Sequence, residues 1–328
     1  MSNTFGEKLK ITVFGQSHSE AIGAVVDGLP AGEAIDMGAV LRFMRRRAPG
    51  GSELSTARRE TDEPVILSGL LDGRTCGAPV CAVIKNSDTR PQDYDSLRFV
   101  PRPGHSDLTA FIKYGGANDI RGGGQFSGRL TAPICFAGAL CLQLLSRRGV
   151  EIRAEISEIA AVTGDSMKKA ILEAKAEGDS VGGIIRCTAS GVPAGLGGPM
   201  FDGVESRLAQ AAFAIPGIKG LCFGSGFNSA RMRGSEHNDS FFFEDGSVKT
   251  RTNNHGGILG GITSGMPIIM DVAVKPTPSI SKKQESVDLR TGETASLEIS
   301  GRHDPCIVPR ALPVVESVMG IVLLDLML

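Results

Sequence analysis

The run from Leu130 to Leu145, LTAPICFAGALCLQLL, is apolar around almost the whole circumference of a helix, with Ile134, Phe136, Leu140, Leu142 and Leu144 spread about the axis. A helix of that kind has no face for water and must be covered on every side. The rest of the chain is therefore expected to form layers around it. Pro133 falls in its first turn, where a missing N–H leaves no hydrogen bond unmade. Directly before the helix stands RGGGQFSGR, residues 121–129, which places three glycines between arginines. This loop opens onto the helix N-terminus, where free amides and the helix dipole favour an anion. It is neither a Walker loop, which needs Lys-Ser or Lys-Thr after the last glycine, nor a GxGxxG dinucleotide fingerprint, because Gln125 and Phe126 follow an unbroken GGG.

Other segments read as elements that could pack on such a centre. KITVFG (residues 10–15) and AIGAVVDG (21–28) alternate like strands, and PVILSG (64–69) and GAPVCAVIKN (77–86) are short β-rich runs. Asp36 suits the N-cap of a helix carrying Val40, Leu41 and Met44 on one face and ending in Arg45, Arg46 and Arg47. Residues 85–120 are long, polar and rich in turns, a character more often functional than idle. The apolar C-terminal run ALPVVESVMGIVLLDLML contains Glu316 and Asp325, so a packed helix is expected and not a membrane span. VVDGLPAGEAIDMGAVLRF near the start is echoed by TASGVPAGLGGPMFDGVESRLA at 188–209. The echo points to two related β-α-β halves around shared helices. No linker of disordered composition divides the 328 residues, so a single domain over 1–328 is expected.

Composition narrows the function. A net charge of −1 speaks against a chain-wide basic face for nucleic acid, so any anion site must be a local concentration of arginine. The seven cysteines include no CxxC pair and are read as reduced thiols, and MSNTFGEKLKITVFG lacks the layout of a signal peptide; both suggest a cytoplasmic protein without a membrane partner. Forty-three glycines and no tryptophan suggest close turns around a ligand. No metal-ligand spacing such as HExxH occurs, so no metal site is assigned.

Four clusters join catalytically useful side chains to glycine: Ser17 and His18 in FGQSHSEAIG, Arg102 and His105 in PRPGHSD, Arg121, Ser127 and Arg129 around the glycine loop, and Arg302, His303 and Asp304 in GRHDP. TNNHGGILGGITSG and KPTPS (275–279) add a further glycine-rich turn and another candidate anion loop. Each cluster alone has a structural explanation, such as a hydrogen-bonded histidine after a strand or an arginine at a solvated helix end. Together they combine planar bidentate anion recognition with proton transfer, the equipment of an enzyme for a phosphorylated small molecule.

In order along the chain, FGQSHS, DGLPAG, RPGHSD, RGGGQFSGRLTA, SGVPAGLG, NHGGILGGITSG, KPTPS and GRHDPC resemble the motifs of the chorismate synthase family. The resemblance implies an α+β fold of β-α-β sandwich type, a homotetramer, and a carbon–oxygen lyase at the last step of the shikimate pathway. In that step 5-enolpyruvylshikimate 3-phosphate loses phosphate and a ring proton by anti-1,4-elimination, giving chorismate. Reduced FMN is required without net redox change, donating electron density transiently as the C–O bond breaks.

By the same resemblance, His18 with Ser17 beside it protonates the leaving phosphate, His105 lies against the reduced flavin, and Asp304 acts with flavin N5 to remove the ring proton, a general-base role. Ser127 stands between the two ligands. Arg46, Arg102, Arg129 and Arg302 hold the substrate's phosphate and carboxylates, with Arg45 and Arg121 as further members. Gln125, Phe126, Ser127, Gly260, Lys275, Pro276, Thr277, Pro278, Ser279 and Arg302 line the FMN site. On this reading the glycines of the loop let substrate and flavin approach the backbone.

The chain also departs from the pattern. Gln125, Phe126, Gly128 and Leu130 stand where the common form reads RGGGRSSARETA, so one flavin-side arginine is missing, and Pro216-Gly217 replaces a usual Asn-Ala pair. The stretch from Ile152 to Ser180 is shorter than in many relatives. No flavin-reductase segment is evident, so an external flavin reductant is expected and NADPH alone should not support turnover. The alternatives are a non-catalytic flavin- or phosphate-binding homologue and, from the glycine loop alone, a phosphotransferase. The latter lacks the P-loop lysine and an acidic metal pair.

Overall fold

The computed structural model describes residues 2–50, 60–87, 97–299 and 303–328. The first half contains β1 (Thr4–Phe5), β2 (Lys10–Gly15), β3 (Ala21–Asp27), α1 (Met37–Arg45), β4 (Pro64–Ser68), β5 (Leu70–Leu71), β6 (Arg74–Thr75), β7 (Val80–Lys85), α2 (Asp107–Tyr114) and α3 (Thr131–Arg147). Then come β8 (Glu151–Ile159), α4 (Ser166–Ala176), β9 (Gly183–Ser190), α5 (Val204–Phe213), β10 (Ile218–Phe223) and α6 (Gly234–His237). The chain closes with β11 (Phe241–Glu244), β12 (Ser247–Thr250), β13 (Ile258–Leu259), β14 (Ile262–Thr263), β15 (Ile268–Val274), β16 (Gln284–Val287), β17 (Thr294–Leu297) and α7 (Val308–Met327).

Two antiparallel sheets face one another across helices. One has the order β1-β2-β3-β7-β4 and the other β10-β15-β9-β8. Between them lie α3 and α7, which join the inner faces of both sheets into one apolar core. The echo noted in the sequence is visible here: β3 leads into α1 and β9 into α5, and the two helices pack on α3 and α7 respectively. Asp36 caps α1 as expected, accepting the Ala39 amide at 3.0 Å. The turn-rich stretch 85–120 differs from expectation in containing α2, whose eight residues are hard to see in the sequence among flanking Gly, Pro and Asp.

The centre is tight. A Cβ built on Gly138 of α3 would stand 2.2 Å from the Ser317 Cβ of α7, so only glycine lets these two helices meet. An 18-residue window within Gly128–Arg147 is apolar enough to cross a bilayer, with mean hydropathy 1.4, yet 78% of it is buried in the protein. The two acids of α7 have partners. Glu316 accepts Arg46 at 2.6 and 3.0 Å and the Ala154 amide of β8 at 2.9 Å. Asp325 accepts the amides of Glu7, Lys8 and Leu9 at 2.8–3.1 Å and pairs with Arg207 of α5.

Candidate active site

A cavity of about 590 Å³ opens where the glycine loop, the start of α7 and the 275–279 loop meet. That lies within the roughly 300–1,000 Å³ usual for small-molecule sites. His18, Arg102, His105, Gln125, Phe126, Ser127, Arg129, Asp304 and the whole run Lys275, Pro276, Thr277, Pro278 and Ser279 line it. Pro216 and Gly217 line it too, as does a small apolar patch of Leu97 and Ile299.

The glycine loop is held close by the protein itself, while Gly122 and Gly128 also line the cavity. Gly122, Gly123 and Gly124 all have positive φ. A Cβ on Gly122 would lie 2.5 Å from His18 Cε1 and Nδ1 and from Ser17 Oγ, and one on Gly123 would lie 3.0 Å from His105 Cε1. At Gly124 it would meet the Asp119 carbonyl at 2.2 Å. The loop is thus a thin wedge with His18 and Ser17 packed on one glycine and His105 on the next. The Ser17 amide donates to Gly124 O at 3.1 Å and completes the clamp. Ser17 itself is fully buried behind this loop, and its Oγ has no hydrogen-bond partner among the described residues. Gln125 donates to Tyr114 Oη at 3.0 Å, so the residue that replaces the family's arginine is tied to α2.

His105 is fixed by carboxylate and guanidinium together. Its Nδ1 lies 2.5 Å from Asp107 Oδ1, while Arg102 Nε and Nη2 reach Asp107 at 2.7 and 2.9 Å. Burial alone would raise the Asp107 carboxyl, but hydrogen bonds and charge from Arg102 and His105 hold it well below the usual carboxylate range. Arg102 also donates to Ser279 Oγ at 3.3 Å, and Lys275 Nζ donates to Gly104 O. The histidine loop and the 275–279 loop are therefore one wall. Burial and the nearby Lys219 lower the Lys275 pKa.

Of the three consecutive arginines, the structure selects Arg47. Arg45 and Arg46 are exposed and outside the cavity lining; Arg46 instead ties α1 to Glu316. This corrects the expectation for both. Val40, Met44 and Arg47 are spaced i, i+4, i+7, so Arg47 continues the buried stripe of α1 while its neighbours turn away. Its Nε donates to Asp62 Oδ2 at 2.8 Å. Asp62 also pairs with Arg129, which reaches Glu60 at 2.9 Å and Asn86 Oδ1 at 3.0 Å. Burial pushes the Asp62 carboxyl up, yet Arg47 and Arg129 prevail and lower it.

Arg121 also departs from expectation. Its side chain is 44% exposed, forks onto Asp119 at 2.8 and 2.9 Å and does not line the cavity. Gly260 sits at the exposed turn between β13 and β14, outside the cavity lining. Arg302 lies outside the described residues. Sequence reasoning missed Asp62, Asp107 and Arg310, all placed by long-range or local pairing. Arg310 lines the cavity, ion-pairs with Asp304 and donates from Nε to Arg47 O at 2.9 Å. A signal for it exists in the sequence, since a cation in the first turn of a helix opposes the dipole. His303 lines the cavity with a buried Nε2 that has no hydrogen-bond partner among the described residues; burial and the charge of Arg102 lower its pKa.

A sandwich fold whose cavity gathers guanidiniums, imidazoles and a carboxylate defines an acid–base enzyme for a small polyanion. The comparison with known proteins is specific. The family model described as Chorismate synthase matches residues 9–328. A chorismate synthase of Korarchaeum cryptofilum is 45% identical over 346 aligned positions, covering 98% of this chain and 96% of the relative. One of Methanosarcina mazei is 46% identical, covering 99% and 96%. A crystal structure of chorismate synthase superposes with a TM-score of 0.75 at 26% identity, covering 98% of this chain and 92% of the other. The chain belongs to the chorismate synthase family.

Proposed function

We propose that the cavity binds 5-enolpyruvylshikimate 3-phosphate together with reduced FMN and eliminates phosphate to give chorismate. The observation that carries this reading is the convergence, in one cavity, of His18, His105 and Asp304 with Arg47, Arg102 and Arg129. The substrate brings a phosphate and two carboxylates, and guanidiniums suit planar oxyanions by bidentate contact.

His18, as imidazolium, donates a proton to the bridging oxygen as the C–O bond breaks, and the leaving phosphate takes the bond's electron pair. The Asp304 carboxylate accepts the ring proton, and the C–H electron pair moves into the new diene. Arg47 and Arg129, held in place by Asp62, neutralise the anions during this change. Their burial makes each contact stronger than it would be in water.

The residues present fit a flavin phosphate. The 275–279 loop carries Lys275, and Thr277 Oγ1 is a buried hydroxyl with no hydrogen-bond partner among the described residues, ready to take one. Lys275, Thr277 and Ser279 would hold the cofactor, with His105, Gln125 and Phe126 along the ring. Reduced flavin, when bound, supplies electron density to the breaking C–O bond and recovers it. It is reduced by an external partner, and NADPH alone does not sustain turnover. The enzyme works in the cytoplasm as a homotetramer, and the highly exposed Phe201 and Phe227 suit a contact between subunits.

The test is anaerobic. Purified protein, chemically reduced FMN and the enolpyruvyl substrate should yield chorismate and phosphate in equal amounts, and only with reduced flavin. Asp304→Asn should bind both ligands and lose turnover by about 10²-fold or more, the scale of a removed acid–base group. Near-normal turnover would exclude Asp304 as the base. Binding of both ligands by the wild type without product would favour the non-catalytic homologue.

A further inference from the structure

Arg310 stands where stability alone would not put it. It is the third residue of α7, against the positive end of the helix dipole. Its side chain is 21% exposed, and burial lowers its pKa, with Asp304 opposing this and Arg47 reinforcing it. A cation beside another cation, largely buried and at a helix N-terminus, is unfavourable on three counts. What offsets them is the pair with Asp304 and the bond from Nε to Arg47 O.

We propose that Arg310 is a positioning residue for the base: it fixes the Asp304 carboxylate at the cavity wall, in place for proton removal. This rests on the reading of Asp304 as the base. Asp304 itself belongs to no helix or strand, whereas Arg310 belongs to a helix packed on the core. The guanidinium, bonded both to Asp304 and to the main chain of Arg47, gives the carboxylate a fixed anchor. Among the described residues, His303 and Cys306 lie near Asp304, and Arg47 and Asp62 near Arg310. Burial pushes the Cys306 thiol up to about 11 and lowers His303, so neither supplies charge to Asp304 near neutral pH.

The experiment compares Arg310→Gln and Arg310→Lys with wild type in reduced-flavin assays. In Arg310→Gln kcat should fall by about 10-fold or more while KM stays near the wild-type value, because a displaced base slows proton removal without weakening ground-state binding. Lysine should restore most of the lost kcat. Substrate affinity by calorimetry should stay near the wild-type value, and the thermal midpoint should not fall. An unchanged kcat with raised KM would make Arg310 a substrate-binding arginine and overturn the inference. A collapsed thermal midpoint in both variants would make it a structural pin and overturn the inference equally. If Asp304→Asn keeps its turnover, the base assignment itself fails. If Asp304→Asn is inactive and Arg310→Gln keeps its kcat, this inference alone fails.

Discussion

His105–Asp107 and His255–Asp239 are both close, largely buried imidazole–carboxylate pairs, and they sit in opposite circumstances. His105 lines the cavity, and its aspartate is shared with Arg102. His255 lies within the loops around β13 and β14, outside the cavity lining, and its Nε2 meets Ser264 Oγ at 3.0 Å while Nδ1 bonds Asp239. The second arrangement has the residue types and order of a nucleophilic triad. Yet Asp239 also accepts Thr252 Oγ1 at 2.5 Å and the amides of Asn254 and His255 at 2.9 Å, and Ser264 Oγ accepts the Met266 amide at 3.3 Å. Every polar group is used inside the knot. A relay becomes chemistry where its end opens on space for a substrate; where its end is closed, it is a pin.

The sharpest way to break that contrast is at the wedge that orients the cavity histidines. Gly122→Ala places a methyl within 2.5 Å of His18 and Ser17 at a residue with φ +60°, and turnover should fall by at least ~10²-fold, as expected for small displacements of reacting groups. Kinetics near wild type would mean that the wedge does not set the histidine. Next, Asp107→Asn should lower turnover by about 10–100-fold, the scale for losing a residue that orients a working imidazole. Substrate affinity should also weaken, because Arg102 loses its fork. An unchanged rate would reduce His105–Asp107 to a pin like its counterpart.

Asp239→Asn should do the reverse: it should destabilise the fold by about 2–4 kcal/mol while leaving turnover of the folded enzyme almost intact. Its pH dependence follows from the sign of the shift. Burial would raise the Asp239 carboxyl, but hydrogen bonds from Thr252, His255 and the backbone hold it well below its ordinary value. Its contribution is therefore fully present above the unfolded carboxylate pKa, about 3.9, and is lost as pH falls toward the folded one. The gap in thermal midpoint between wild type and Asp239→Asn, measured from pH 7 to pH 3, should narrow only below about pH 4. Loss of turnover in the folded variant would show the knot to be part of the site.

Much of the molecule is legible in its sequence, and the exceptions have common physical causes. The all-round apolar helix, the Asp36 cap and the strands at 10–15 and 21–27 follow from local pattern and are found in place. Residues of the catalytic motifs His18, His105, Ser127 and Asp304 converge on the cavity. Arg46 and Arg47 are hard to tell apart because three successive arginines differ only by rotation about the helix, and the run of apolar residues that marks the buried stripe ends at Met44. Asp62 escapes a sequence reading because its partners, Arg47 and Arg129, come from different parts of the chain. Asp107 escapes it because α2 has a weak signature, and an acid in a helix's first turn has an ordinary explanation.

The carboxylate of Asp325 gathers the amides of residues 7–9 from 316–318 positions away. During synthesis the entrance to β2 must therefore wait, its amides unclaimed, until nearly the whole chain has left the ribosome. Contacts closed over such a separation form late and slowly. A strand made early is among the last to be secured, and truncation of the final helical turns should leave the segment before β2 exposed to proteolysis.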